Sequence, residues 1–180
     1  DMKILEPDER GAGEIVVKGP MVMQGYYNMP EETAEVFTED GYFRTGDVGY
    51  LDNENYLYIT GRAKNLIVSE GGKNVYPEEI ENAFQTYGEI EQILVRGFEE
   101  DATSRVEKIE ALVFPNEDFF KSDAEGEATS QAGVEARIEE IVREVNQQLL
   151  PYQRISRTRV LNEPMEMTTT KKIKRHVVDQ

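Results

Sequence analysis

Three short stretches carry residues whose types and spacing could do chemistry. The tail TTTKKIKRH places Lys171, Lys172, Lys174, Arg175 and His176, five potentially cationic groups, within six positions of a chain whose formal net charge is −16. Three threonines, Thr168 to Thr170, precede them. A lysine on such a hydroxyl-rich loop can meet a buried oxyanion as a flexible point charge, whereas the plain reading is a solvated tail. The loop SEGGKN, with Ser69, Gly71, Gly72 and Lys73, superficially resembles a phosphate loop. It lacks the first glycine and the Ser/Thr after the lysine that a nucleotide-hydrolase loop requires, so it reads as a tight turn past which a ligand chain could run close to the backbone. Asp47 in RTGD and Arg62 in TGR complete the set. An aspartate can accept both hydroxyls of a ribose diol and an arginine can clamp phosphate oxygens, but the spacing of these two fits solvated turn and surface residues equally well.

The elements that must position these groups fall into two styles. Up to residue 60 the chain is mostly strand and turn. Ile15–Val17 reads as a short strand stopped by Gly19-Pro20, and Pro30 followed by Glu31 and Glu32 opens a two-turn helix. Tyr42–Leu51 and Tyr56–Thr60 read as a hairpin around DNEN, a turn rich in residues that bond their own backbone. After Gly61 the character changes. Leu66–Val68 is a short apolar strand, and Pro77 starts a helix whose Ile80, Ala83, Phe84 and Tyr87 form one face. IEQILVRGF and VEKIEALVFP are strands joined by EEDATS, with Ile109, Ala111 and Val113 on one face of the second. Residues 115–132 read as a polar loop around Phe119-Phe120, followed by a long helix over roughly 132–149 and a last strand ISRTRVL. The sum is an α+β fold: a β-rich N-terminal segment, then a small α+β module with helices on one face of a short sheet.

Composition removes several function classes. With 36 acidic and 20 basic residues, the chain is a poor general binder of nucleic acid or anionic membrane. It has no cysteine and one histidine, which excludes a disulfide scaffold and a Cys- or His-rich metal site. No apolar run approaches membrane-spanning length and no basic-then-apolar leader opens the chain, so the cytoplasm is the default compartment. Peripheral membrane association stays open. The opening DMKILEPDERGAGEIVVKGP reads as the start of a piece cut from something longer.

Read in order, GYYNMPEETAEVF, YFRTGDVGYLDNENYLYITGRAKNLIV, GGKNVYPEEIE and TTTKKIKR resemble the adenylate-forming (AMP-binding) enzymes, which include acyl-CoA synthetases, luciferases and peptide-synthetase adenylation domains. VSEGGKNVYPEEIE looks most like the long-chain fatty acyl-CoA ligases. The resemblance implies that residues 1–63 are the last β-rich part of the large domain and that residues 64–180 are the hinge and the mobile C-terminal domain. It implies ATP and CoA as substrates beside a fatty acid. Mg2+ would accompany ATP and be bound by the large N-terminal portion, which this chain lacks and which would be its main partner.

The same resemblance assigns roles. Asp47 would hold the ribose hydroxyls of ATP, Arg62 would contact ribose or phosphate, and Lys64 would stand at the hinge. Lys172 would be the catalytic lysine that bridges the acyl carboxylate and the α-phosphate during adenylation. Lys171 stands where many relatives have glycine, and Lys172 is preferred because KIKR follows the usual continuation. Ser69, Gly71, Gly72 and Lys73 would form a CoA-facing loop. Other readings are a ligase for a different acid or for a carrier-protein acceptor, and a non-catalytic binding module of the same fold. The isolated fragment is expected to be inactive, since half of the site is elsewhere.

Overall fold

A computed structural model of the chain describes residues 1–69, 72–99, 108–122 and 130–178, apart from the side chains of Ser122 and His176. It divides into two compact units, Asp1–Leu66 and Ile67–Gln180.

The first unit is built on four antiparallel strands in sequence order: β1 (Met2–Leu5), β2 (Gly13–Val17), β3 (Phe43–Leu51) and β4 (Leu57–Arg62). β1 has no counterpart in the sequence reading, because its four residues, MKIL, are too few to display a period. Ile15, Val16 and Val48 are buried between the strands and the short helix α1 (Pro30–Glu35) lies between β2 and β3 in sequence. The β3–β4 turn works as its residues suggest: Asp52 accepts from the amides of Glu54 and Tyr56 at 2.9 Å each. β4 runs into a 3-10 turn, Ala63–Asn65.

The second unit opens with a two-stranded ribbon, β5 (Ile67–Val68) and β6 (Asn74–Val75), and helix α2 (Pro77–Asn82). A three-stranded sheet follows, formed by β7 (Ile90–Phe98), β8 (Lys108–Pro115) and β9 (Ile155–Val160) in the order β7-β8-β9. β7 and β8 pair antiparallel; β9 lies parallel to β8, the crossover being carried by α3 (Glu117–Ser122) and α4 (Gln131–Gln148). A short α5 (Arg175–Val178) ends the described chain.

Period explains the layers. In α4, Ile138, Ile141, Val142 and Val145 fall at i, i+3, i+4 and i+7 and are buried, and Ser130 caps the helix by accepting from the Gly133 amide at 3.1 Å. They meet Val95, Ile109, Ala111 and Val113 of the sheet and Ile80 and Phe84 beside α2 in one core. The helix at Pro77 ends at Asn82, and Phe84 and Tyr87 reach that core from the turns that follow.

Two further departures from the sequence reading concern the second unit, one with a local cause and one with a long-range cause. Residues 117–122 are helical, not loop: Asn116 Oδ1 accepts from the amides of Asp118 and Phe119, acidic residues fill the first turn, and Phe120 is buried in the core. The other departure concerns the second face of the sheet, which is also covered. Alternate residues of the central strand point there, and Leu94 and Leu112 pack against Met165, Ile173 and Val178 of the C-terminal segment.

Glu110, also on that second face, is completely buried. It accepts from Arg157 Nε at 2.6 Å and Arg96 Nε at 3.0 Å. Burial pushes its carboxyl up, but the hydrogen bonds and charges of Arg157 and Arg96 together outweigh that effect and hold it below the ordinary value. Because its folded-state value is depressed, Glu110 adds stability above the ordinary carboxylate range and loses that contribution as pH falls through the folded value. Glu110→Gln is therefore expected to cost about 2 kcal/mol at neutral pH. The gap in melting temperature between parent and variant should close on acidification, and a gap that widens toward low pH would contradict this account.

Candidate functional sites

Asp47 and Arg62 face each other across β3 and β4, as register partners. Arg62 Nη1 donates to Asp47 Oδ1 at 2.6 Å, with the two side chains 47% and 34% exposed. The motif around Asp47 sets this geometry. Thr45 Oγ1 donates to the Ile15 carbonyl and accepts from the Asp47 amide at 3.1 Å. Gly46, between them, has φ +69, and a Cβ there would lie 3.3 Å from Arg62 Nη2. Glycine thus serves both the left-handed backbone and the path of the guanidinium. An ion pair this exposed adds little to stability, so it can open to a ligand at low cost. Asp47 Oδ2 and the remaining Arg62 N–H groups suit a diol and a phosphate oxygen respectively.

Lys64 lies in the exposed 3-10 turn Ala63–Asn65, directly after β4. Ser69 is buried and closes the β5–β6 ribbon: its amide and hydroxyl both donate to the Lys73 carbonyl, at 3.0 and 3.1 Å. The Gly72 amide donates to the Ser69 carbonyl at 3.0 Å, and Gly72 has φ +71. Apart from its chain neighbours, no atom of the described residues lies within 4 Å of where a Gly72 Cβ would stand, so among these residues it is the backbone conformation that calls for glycine. Gly71 lies outside the described residues.

The cationic tail separates into distinct environments. Met167 and Ile173 bridge as an antiparallel pair, and the Thr168 amide donates to the Lys172 carbonyl at 2.7 Å. The Lys171 amide donates to the Thr168 carbonyl at 3.0 Å, and Lys171 itself has φ +59. This is a three-residue hairpin loop whose last position is left-handed, the place where glycine is most at ease. The turn explains why glycine would suit the position that Lys171 fills. Lys172 follows it, exposed, with its amide bound to Thr168 Oγ1 at 3.1 Å and its ammonium without a carboxylate partner among the described residues.

The neighbouring cations are engaged. Lys174 Nζ donates to Glu166 at 3.1 Å. Arg175 Nη2 donates to both oxygens of Glu81, at 2.6 and 2.7 Å, and Nη1 donates to the Val95 carbonyl at 2.8 Å. Glu81 Oε1 also accepts from the Val95 amide at 2.7 Å. Burial pushes the Glu81 carboxyl above its ordinary value, and the opposing pull of Arg175 and the Val95 amide offsets this only in part. Neither Glu81 nor Arg175 stands out as a site residue in the sequence; PEEIE and KIKR are the signals, and only the fold joins them. Among the described residues no group of three or more His, Asp or Glu could hold a metal ion.

The turn geometry separates Lys171 from its neighbour in a measurable way. Lys171→Gly is expected to stay within about 1 kcal/mol of the parent, because relief of a left-handed side chain offsets the added freedom of the unfolded chain. Lys171→Val should be less stable than either, and thermal melts showing Val the most stable would contradict the turn assignment.

The chain is 48% identical over 101 residues to the long-chain-fatty-acid–CoA ligase of Bacillus subtilis, covering 56% of this chain and 17% of the ligase. It is 45% identical over 106 residues to the 2-succinylbenzoate–CoA ligase of Geobacillus kaustophilus, covering 59% of this chain and 21% of that protein. The chain thus spans about a fifth of the length of these relatives. The fold matches O-succinylbenzoate coenzyme A synthetase from Bacillus subtilis, solved in complex with ATP and magnesium ion, with a TM-score of 0.72, 27% identity, and coverage of all of this chain and 34% of that structure. The family model described as the AMP-binding enzyme C-terminal domain matches residues 64–180, the stretch that holds Lys64, the β5–β6 ribbon and the Lys172 hairpin, and the chain belongs to that family.

Proposed function

We propose that this chain is the C-terminal part of an ATP-dependent long-chain fatty acid–CoA ligase. The observation that carries the reading is Lys172: an exposed ammonium with no carboxylate partner among the described residues, next to a braced hairpin turn in a chain of net charge −16. In the first half-reaction a carboxylate oxygen attacks the α-phosphorus of ATP, an O–P bond forms, and pyrophosphate leaves. Negative charge gathers between the acyl carboxylate and the α-phosphate, and Lys172 would meet it as a fixed cation rather than as a base. In the second half-reaction the CoA sulfur attacks the acyl carbonyl and AMP leaves.

Asp47 and Arg62 would grip the ribose and phosphate of the nucleotide through both steps. Lys64 would be the pivot about which the C-terminal domain turns, withdrawing Lys172 and bringing Ser69, Gly72 and Lys73 toward the CoA arm. Residues 1–63 would then belong to the large domain and 64–180 to the moving one. The room that the described residues leave beside Gly72 supports a close passage of the pantetheine chain. A second reading has its own support. Ligases for a fatty acid and for 2-succinylbenzoate match at 48% and 45% identity, so a ligase for another acid fits this part of the chain nearly as well.

In the full-length protein carrying this chain, Lys172→Ala is expected to slow adenylation about 10²–10³-fold, read as acid-dependent ATP–pyrophosphate exchange. Thioester formation from supplied acyl-adenylate should be spared, and Lys171→Gly should retain exchange. Equal loss of both half-reactions in Lys172→Ala would defeat the assignment. Exchange should be fastest with palmitate in a panel that includes 2-succinylbenzoate and an aryl acid; a preference for either of these would move the reading to the second ligase. The 180-residue chain alone should form no acyl-CoA, and measurable product would overturn its reading as half of a site.

A further inference from the structure

We propose that Arg175, locked on Glu81, is a positioning residue for adenylation: the pair fixes the orientation of the Lys172 hairpin on the body of its domain. The inference rests on the role assigned to Lys172 above.

The geometry is a closed circuit. Val95 lies on β7, an edge strand of the three-stranded sheet. Its amide donates to Glu81 and its carbonyl accepts from Arg175, while Arg175 holds both Glu81 oxygens. One carboxylate and one guanidinium thereby satisfy two backbone groups that an edge strand would otherwise leave open. Both side chains are mostly buried, at 19% for Glu81 and 22% for Arg175. A planar fork on a carboxylate fixes direction as well as distance, which a lysine ammonium cannot do.

What the circuit holds is the stem of the hairpin. Arg175 is three residues beyond Lys172. Between them Ile173 packs with Leu94 and Leu112, and the Lys174 amide donates to the Glu166 carbonyl at 2.8 Å. The hairpin loop itself, Thr168–Lys172, is exposed, and its hydrogen bonds among the described residues run within the loop. Its aim is therefore set at the stem, by an apolar contact that tolerates rotation and by an ion pair that does not. A misplacement of about 1 Å in a charge-stabilising group can cost roughly 10²-fold in rate. Glu81 has an independent hold through α2 and the Val95 amide, so loosening Arg175 releases the hairpin more than it disturbs the β5–β6 ribbon that precedes α2.

The test uses the full-length protein with Arg175→Lys, Lys172→Ala and the double variant. Substrates are ATP with the palmitate, 2-succinylbenzoate and aryl-acid panel. Arg175→Lys keeps the charge but loses the fork. It is expected to lower kcat for pyrophosphate exchange about 10-fold or more, with KM for ATP and acid little changed and thioester formation from supplied acyl-adenylate retained. In the Lys172→Ala background the same change should cost nothing further, because a residue that acts through Lys172 has nothing left to position. Additive losses in the double variant would overturn the inference, as would loss of both half-reactions together. If Arg175→Lys lowers the melting temperature, Glu81→Asp, which keeps the charge pair on a shorter arm, must show the same kcat-only loss. Unchanged exchange in a folded Glu81→Asp protein also overturns the inference. Failure of the underlying reading looks different: exchange would survive Lys172→Ala, or would be absent with every acid of the panel.

Discussion

The central strand of the three-stranded sheet must be covered on both faces, and much of the second unit follows from that constraint. One face of β8 receives α4 and the residues around α2, which is ordinary layer packing. The other face carries Leu112 and Glu110, and the chain meets this by laying its C-terminal segment back over the sheet. Met165 and Ile173 bury there, on either side of the Thr168–Lys172 loop. Lys172 is thus placed by the burial of its neighbours. Its own side chain contributes nothing to the packing and stays available.

Electrostatics follow from the same arrangement. A buried carboxylate such as Glu110 persists only with partners, and Arg96 and Arg157 supply them. Arg96 also donates to the Val178 carbonyl, which ties α5 to the sheet. Glu81 is matched by Arg175 in the same manner. In a chain with a large excess of acid, most well-placed cations are consumed internally. Lys172 shares its lack of a carboxylate partner among the described residues with Lys64 and Lys171, so its place beside the hairpin turn, rather than its charge alone, supports the proposed role.

Most strands, the long helix and the turn at Asp52 were legible in the sequence because each rests on residues close along the chain, while the EEDATS turn lies outside the described residues. Asp52 makes its turn with amides two and four residues away. The α4 stripe repeats every three or four residues. Other elements were not legible. β1 is too short to show a period, and α3 hides in an acidic stretch because its cap, Asn116, precedes charged residues that look like loop. The second face of the sheet was missed since its cover comes from residues with no apolar periodicity of their own.

The candidate site divides along the same line. The sequence alone marked Gly71-Gly72-Lys73 as a tight turn, because a left-handed backbone position is dictated by its own residue and the next few hydrogen bonds, whereas the hairpin around Lys171, read as a hydroxyl-rich loop or tail, emerged only in the structure. The sequence also singled out Asp47, Arg62 and Lys172 through their motifs. Only the tertiary structure decided that Asp47 and Arg62 are cross-strand partners, which basic residues of the tail are spent, and that Arg175 meets a glutamate 94 residues away. The reason is that an ion pair between distant positions needs the register and layering of the whole sheet. No local propensity specifies which of many carboxylates an arginine will find.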